Sequence, residues 1–276
     1  MNYLNTDIES IAGELSASKK YNCLHPDTIK NVLALELQKH KSPKPALKST
    51  RKKLHLILAD YLQELNFNKT AKELNNAFAE GDPEKIENTC LLIMNKHAST
   101  RERIPVLPEL YAGIFAVTGI PQKLADLACA LNPFTLRWMN LPPDTHYYAF
   151  DNNNKIIDLL RQYLALENIN YTAEWRDVLC NPPEIAFDVA FLFKMYHCLE
   201  HRRKGAGWDV IENTDTQWAA VSFPTRNLAN RKVDIFGNYR DTLIDNIKKK
   251  NWDFQILEFD TEIVLLICLR QPGGSF

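Results

Sequence analysis

The chain has no apolar stretch long enough for a membrane. Its longest strongly hydrophobic run, Ile263 to Leu269, falls far short of the roughly 20 residues a spanning helix needs. The start, Met1 to Ser10, carries no basic segment followed by an apolar one, so nothing suggests export. Cysteine occurs six times, at 23, 90, 129, 180, 198 and 268, without one Cys-x-x-Cys pair. That argues against a zinc ribbon, an iron–sulfur centre and a secreted disulfide framework, and leaves free thiols in a reducing cytoplasm as the expectation. Neither charge dominates: 33 Lys and Arg against 34 Asp and Glu give a net charge of −1. No G-x-G-x-x-G follows the first predicted strand, so a dinucleotide pyrophosphate would find no cradle there. What is present, 45% hydrophobic and 24% charged residues in 276, suits one large domain or a domain with an appended module.

The balanced total hides an asymmetry. Residues 16–55 hold ten basic side chains against Asp27 and Glu36, a local net of +8, whereas residues 105–276 sum to −4. A basic module on a near-neutral body is the footprint of a protein that grips a polyanion, although a solvated Lys-rich helix face looks the same. Up to about Arg103 the chain reads as helices over 5–15, 26–40, 44–65, 69–79 and 83–97, punctuated by Ser42-Pro43-Lys44-Pro45 and Gly81-Asp82-Pro83. Beyond Pro105, short apolar runs alternate with helical segments such as Asn154–Glu167. Predicted strands are Lys123–Ala130, His146–Phe150, Tyr171–Arg176, Asp188–Phe193, Trp218–Phe223, Phe254–Phe259 and Ile263–Leu269. The alternation predicts an α/β, mainly parallel, Rossmann-like sheet with helices on both faces. The last two strands, separated only by Asp260-Thr261-Glu262, should form an antiparallel hairpin at one edge. The expected division is 1–104 and 105–276, with a frayed tail at Pro272–Phe276.

In such a sheet, ligands bind beyond the carboxyl ends of the strands. Asp126 lies in the first predicted strand, Asp151 closes the second and Asp177 the third, while the fourth ends in Phe193-Lys194. An acid ending the second strand suits ribose hydroxyls, and one ending the third can accept from an adenine amine. Ala128 and Ala130 stand where a phosphate loop would need glycine, which favours S-adenosyl-L-methionine over NAD. Strand-end carboxylates that merely cap helices are the plain alternative. Asn181-Pro182-Pro183-Glu184 reads as a turn. His197-Cys198-Leu199-Glu200-His201 matches the HxxEH pattern and keeps a zinc peptidase open.

Longer motifs carry a resemblance. Ser18-Lys19-Lys20-Tyr21, Arg51-Lys52-Lys53-Leu54-His55, the stretch His97-Ala98-Ser99-Thr100-Arg101-Glu102-Arg103 and Asp126 through Pro133 come first. Asp177-Val178-Leu179, Gly205-Ala206-Gly207-Trp208 and Ser222-Phe223-Pro224-Thr225-Arg226 follow. In this order, from about Ser16 to Leu269, the chain resembles the aminoglycoside-resistance 16S rRNA (guanine-N7) methyltransferases that modify guanine 1405. The resemblance implies a class I methyltransferase domain with an N-terminal helical domain that docks on the 30S subunit. Such an enzyme would be cytoplasmic and monomeric, with S-adenosyl-L-methionine as cofactor, and would need neither metal nor membrane.

Carried over residue by residue, His97, Ala98, Ser99 and Arg103 should line the cofactor site, with Arg103 on the methionine carboxylate. Asp151 should hold the ribose; Ala128, Asp177, Val178 and Phe193 should surround the methionyl and adenine parts. Lys194 should sit beside the target base. Lys19, Lys20, Arg51, Lys52, Lys53, Arg226 and Arg231 should meet rRNA phosphates, and Asn238 and Tyr239 the target nucleotide. Three departures stand out: Cys129-Ala130 replaces Cys-Gly, Arg202 replaces a pocket-closing glutamine, and Lys232-Val233-Asp234-Ile235-Phe236-Gly237-Asn238-Tyr239 keeps only part of a Lys-Gly-Met-x-x-Asn-Tyr segment. Ala130 and Arg202 leave open a non-catalytic ribosome-binding protein of the same fold, and the altered segment leaves the target position less fixed than the reaction type. Guanine N7 offers an unprotonated lone pair, so no general base is expected. The base must leave its helix, a cost that stacking on an aromatic such as Tyr196 or Tyr239 would offset.

Overall fold

A computed structural model describes residues 5–59, 65–226 and 231–270. The amino-terminal part is helical: α1 (Asn5–Ala17), α2 (Pro26–Lys39), α3 (Pro43–Ala59), α4 (Phe67–Glu80), α5 (Pro83–Met94), α6 (Ala98–Arg103) and α7 (Leu107–Thr118). The boundaries follow local chemistry. Pro26 and Pro83 occupy first turns, where a missing N–H costs nothing. The Asp82 carboxylate accepts from the Glu84 and Lys85 amides at 3.0 and 3.5 Å. Gly81, at φ +69°, closes α4 in the left-handed conformation that glycine takes freely. The expected helix 83–97 stops at Met94, whose carbonyl accepts the Thr100 hydroxyl at 2.7 Å across the break. The last residues of the expected helix 44–65, and the tail Pro272–Phe276, lie outside the described residues except for Leu65, which is not helical.

These helices divide between two cores. Ile29, Val32 and Leu33 of α2 pack with Ala12 and Leu15 of α1 and Leu54 of α3 in a cluster of their own. Leu74 of α4 and Ile86, Cys90 and Ile93 of α5 instead join the large core that covers one face of the sheet.

The sheet contains β1 (Lys123–Leu127), β2 (His146–Asp151), β3 (Asn170–Trp175), β4 (Phe187–Phe193), β5 (Thr216–Pro224), β6 (Asp253–Glu258) and β7 (Glu262–Cys268). Between the strands lie α8 (Leu136–Met139), α9 (Asn154–Leu166), α10 (Tyr196–Arg202), α11 (Ala206–Asn213) and α12 (Ile235–Lys249). All seven predicted strands are present, in the order β3-β2-β1-β4-β5-β7-β6. β1 to β5 run parallel and β7 pairs antiparallel with both β5 and β6, giving the expected hairpin at the edge. One boundary differs in a way that matters. β1 ends at Leu127 rather than Ala130, because Ala128 and Ala130 turn left-handed at φ +53° and +45°. A Cβ makes that conformation costly, about 1–2 kcal/mol per residue, so surrounding contacts must hold it.

Candidate active site

The strand order reverses between β1 and β4, and a cavity of about 350 Å³ lies beyond their carboxyl ends. Asp126, Ala128 and Ala130 from β1 and its loop line it, with Asp151 and Phe193 at the ends of β2 and β4 and Asp177, Val178 and Lys194 just beyond β3 and β4. His97, Ser99 and Arg103 of α6 and its N-cap, with Arg202 of α10, complete that wall; Val32, Lys53, Leu56, Ile57 and Leu58 of the first helical cluster face it. Of the proposed cofactor residues, Ala98 alone is absent from the lining; it is buried.

Asp151 is fixed from below. Its Oδ2 accepts the Ala130 amide at 2.9 Å and its Oδ1 the Asn153 amide at 2.8 Å, so the left-handed loop presents an N–H to this carboxylate. One further acceptor position on each oxygen remains. Burial raises its pKa to about 6, against the pull of those two amides. Asp126 is likewise raised to about 6 by burial. Its Oδ2 accepts the Tyr147 hydroxyl at 2.6 Å and Asn132 Nδ2 at 2.9 Å, whereas Oδ1 is buried with no hydrogen-bond partner.

Arg103 is 1% exposed and forked onto Glu262, with Nη1 on Asn132 Oδ1 at 2.6 Å. Three of its five N–H groups are thus used, and two remain for an incoming carboxylate. Its guanidinium lies over Phe193, 4.4 Å from the ring centroid. Lys194 closes the network, its Nζ 2.9 Å from Glu102 and 3.5 Å from Glu262. Burial opposes ionisation of Glu262, but Arg103 and Lys194 outweigh it and hold its pKa below the usual range. His97 is driven down to about 4, chiefly by burial and then by Arg103 and Lys194, so its imidazole is neutral. Its Nδ1 lies 2.8 Å from the Ser99 hydroxyl.

A family model described as ribosomal RNA methyltransferase (FmrO) matches residues 17–267. The chain belongs to this family. A curated 16S rRNA (guanine(1405)-N(7))-methyltransferase from Frankia casuarinae is 30% identical over 264 residues, 94% of this chain and 93% of that protein. Another, from Serratia marcescens, is 32% identical over 233 residues, covering 84% and 87%. The solved 16S rRNA methylase RmtB is 29% identical with a TM-score of 0.75, over 95% of this chain and 98% of its own. The fold is also that of the 16S rRNA methyltransferase RmtF solved with S-adenosyl-L-homocysteine: TM-score 0.77, 24% identity, 96% and 99% coverage.

For a ribosomal RNA methyltransferase, the residues expected to meet RNA fall into distinct settings. Lys19, Lys20, Arg51 and Lys52 are exposed, and Lys20, Arg51 and Lys52 border a cleft of about 590 Å³ with Tyr21 and His55. Lys53 is half-buried, 2.9 Å from Glu36, on the wall of the central cavity rather than on the open face. Arg231 and Asn238 are exposed; Arg226 is half-buried and pairs in a short bridge with Lys232. Tyr239 packs edge-on to Tyr196 at 5.2 Å. Tyr196 is 2% exposed, wedged against Gly207 and Phe223, so its ring is unavailable to a flipped base and Tyr239 is the better placed of the two.

Among the described residues, the HxxEH side chains do not gather into a group that could hold a metal ion. The Glu200 carboxylate accepts the Gly205 and Gly207 amides at 2.8 and 2.9 Å, which fixes the start of α11. The rings of His197 and His201 lie perpendicular with centroids 6.2 Å apart. Asn181 sits in the expected turn, its side chain donating to Asp27. Glu262 and Thr28 join the site network without a role expected from the sequence, and so do Asn132 and Glu102, which stand inside motifs that carry the resemblance. Glu262, expected in the turn before the last strand, opens β7 instead.

Proposed function

We propose that this ribosomal RNA methyltransferase uses S-adenosyl-L-methionine to methylate N7 of guanine 1405 of 16S rRNA. The observation that carries the cofactor assignment is Asp151: a buried carboxylate fixed by two amides, with one acceptor position to spare on each oxygen, beside the sheet's switch point. The residues present fit the group. Two spare N–H donors on Arg103 suit a carboxylate, the partnerless Asp126 Oδ1 suits an ammonium, and Asp151 suits a ribose diol. Bound there, the cofactor would supply an electrophilic methyl group on a sulfonium.

The chain's own residues then have to orient rather than activate. Guanine N7 carries its lone pair in the ring plane, so no side chain has to remove a proton, and the neutral His97 is not required as a base. Proximity is the main resource, worth an effective molarity of up to about 10⁵–10⁸ M. Lys194, held at φ +55° between Glu102 and Glu262, is assigned to the edge of the target base, and Asn238 and Tyr239 to the flipped nucleotide. The helical portion, residues 1–104, is assigned to docking, with α1–α3 presenting Lys19, Lys20, Arg51 and Lys52 to rRNA phosphates. We take the substrate to be the assembled 30S subunit in the cytoplasm, met by a monomer. N7 methylation leaves a fixed positive charge and removes an acceptor from the base, which would weaken binding of a cationic aminoglycoside.

Primer extension on 16S rRNA after incubating 30S subunits with protein and S-adenosyl-L-methionine tests the assignment. A cofactor-dependent, borohydride- and aniline-sensitive stop at guanine 1405 is expected. A modification at another base would overturn the target, and no modification would favour the non-catalytic reading.

A further inference from the structure

Arg202 ends α10 and is 7% exposed, yet it touches three separate parts of the chain. Its Nη1 donates to Asp177 Oδ2 at 2.6 Å, its Nε to Asn31 Oδ1 of α2 at 2.9 Å, and its Nη2 to Cys180 Sγ at 3.2 Å. Its carbonyl lies 3.5 Å from Lys53 Nζ of α3. From the other side, the Thr28 hydroxyl of α2 reaches the same Asp177 Oδ2 at 2.5 Å. Asp177 Oδ1 accepts the Leu179 and Cys180 amides at 3.0 and 3.2 Å. Four donors therefore fill the four acceptor positions of this carboxylate. An adenine amine cannot be added to Asp177 without displacing one of them.

We infer that Arg202 is a positioning residue: it clasps α2 to Asp177 so that filling of the cofactor cavity and seating of the α1–α3 cluster are linked. The inference rests on the cofactor reading above and alters one part of it, since Asp177 serves the seam instead of the adenine amine. The same seam continues through the His25 amide on the Asn152 carbonyl at 2.7 Å and the Asn154 amide on the Cys23 carbonyl at 2.9 Å, next to Asp151. Val32, Leu56, Ile57 and Leu58 supply a wall of the cavity from the helical side. A ligand in the cavity thus touches both units, and whatever holds them together favours its binding. By linkage, the ligand favours their union equally.

The test is hydrogen exchange and calorimetry on the full chain with S-adenosyl-L-homocysteine. In the wild type, the ligand should slow amide exchange along α2. Arg202→Met, which removes the donors without restoring the glutamine of the family, should lose that protection and bind about 5- to 150-fold more weakly, the usual span of coupling between sites. Arg202→Lys, which keeps the charge but not the fork, should recover part of the affinity. A merely structural Arg202 would lower thermal stability while leaving affinity and the ligand-dependent protection of α2 intact in the folded variant, and that result overturns the proposal. If Arg202→Met fails to fold, Thr28→Val decides: ligand protection of α2 should diminish, and unchanged protection contradicts the clasp. Absence of any binding heat with the wild type would sink the cofactor reading itself and the clasp with it.

Discussion

Arg103 and Glu262 meet as a two-pronged fork in the interior, Nε to Oε2 at 3.0 Å and Nη2 to Oε1 at 2.6 Å, with side chains 1% and 0% exposed. Together they join the end of α6 to the first residue of β7. Two ions taken this far from water are tolerable only while paired, because each alone would keep its full desolvation penalty. Glu262→Ala should therefore cost about 3–5 kcal/mol of stability, the usual consequence of stranding a buried partner. Urea unfolding checks this, and a loss under about 1 kcal/mol would show that Asn132 or water replaces the lost carboxylate.

Asp151→Ala should leave the fold intact and weaken S-adenosyl-L-homocysteine by roughly 10- to 100-fold. That is the equivalent of about 1.5–3 kcal/mol for hydrogen bonds to a charged group. Calorimetry measures the affinity and circular dichroism the fold. An unchanged dissociation constant would remove Asp151 from the ribose site.

The two raised carboxylates give a pH signature. Asp126 and Asp151 both move from an ordinary value of 3.8 to about 6, with burial the largest cause. A raised folded-state pKa means their contribution to stability is present below about pH 4 and is lost as pH climbs through about 6. Asp126→Asn keeps an acceptor for Tyr147 and Asn132 while removing the charge, so it should gain up to about 3 kcal/mol over the wild type at pH 8 and little at pH 4. Ligand affinity should move the other way, weakening in the wild type as pH falls below 6. Thermal melts and titrations across pH 4–8 follow both curves, and a flat difference between the two proteins would contradict the burial argument.

Arg51→Ala and Lys52→Ala should each weaken binding to 30S subunits and flatten the salt dependence by about one unit in the slope of log K against log salt. Neither should alter affinity for S-adenosyl-L-homocysteine, because neither lines the cavity. A salt slope identical to that of the wild type would place these cations on a solvated face only.

Period and punctuation made most of the fold readable. Alternating apolar runs located all seven strands, and Pro26, Pro83 and Gly81 located helix ends, since each of these signals acts over a few neighbouring residues. Asp126, Asp151, Asp177 and Lys194 were findable because an α/β sheet gathers its strand ends at one edge, and they do converge on one cavity. What lay hidden depends on long-range packing. Nothing local marks Ala128 and Ala130 as left-handed; that conformation is imposed by the amide contacts of Ala130 with Asp151 and of Cys129 with the Phe150 carbonyl. Thr28 and Asp177 are 149 residues apart in sequence, and Arg103 and Glu262 are 159 apart, so no spacing rule pairs them. Tyr196 read as a stacking candidate because aromaticity is visible in sequence and burial against Gly207 is not.

A crystal structure of the full chain with S-adenosyl-L-homocysteine tests the central claim most directly. The account predicts the ribose hydroxyls on Asp151, the amino-acid carboxylate within reach of Arg103, and the sulfur facing the Lys194 side of the cavity. A ligand lodged away from the ends of β1 and β2, or one whose ribose leaves Asp151 untouched, would contradict it.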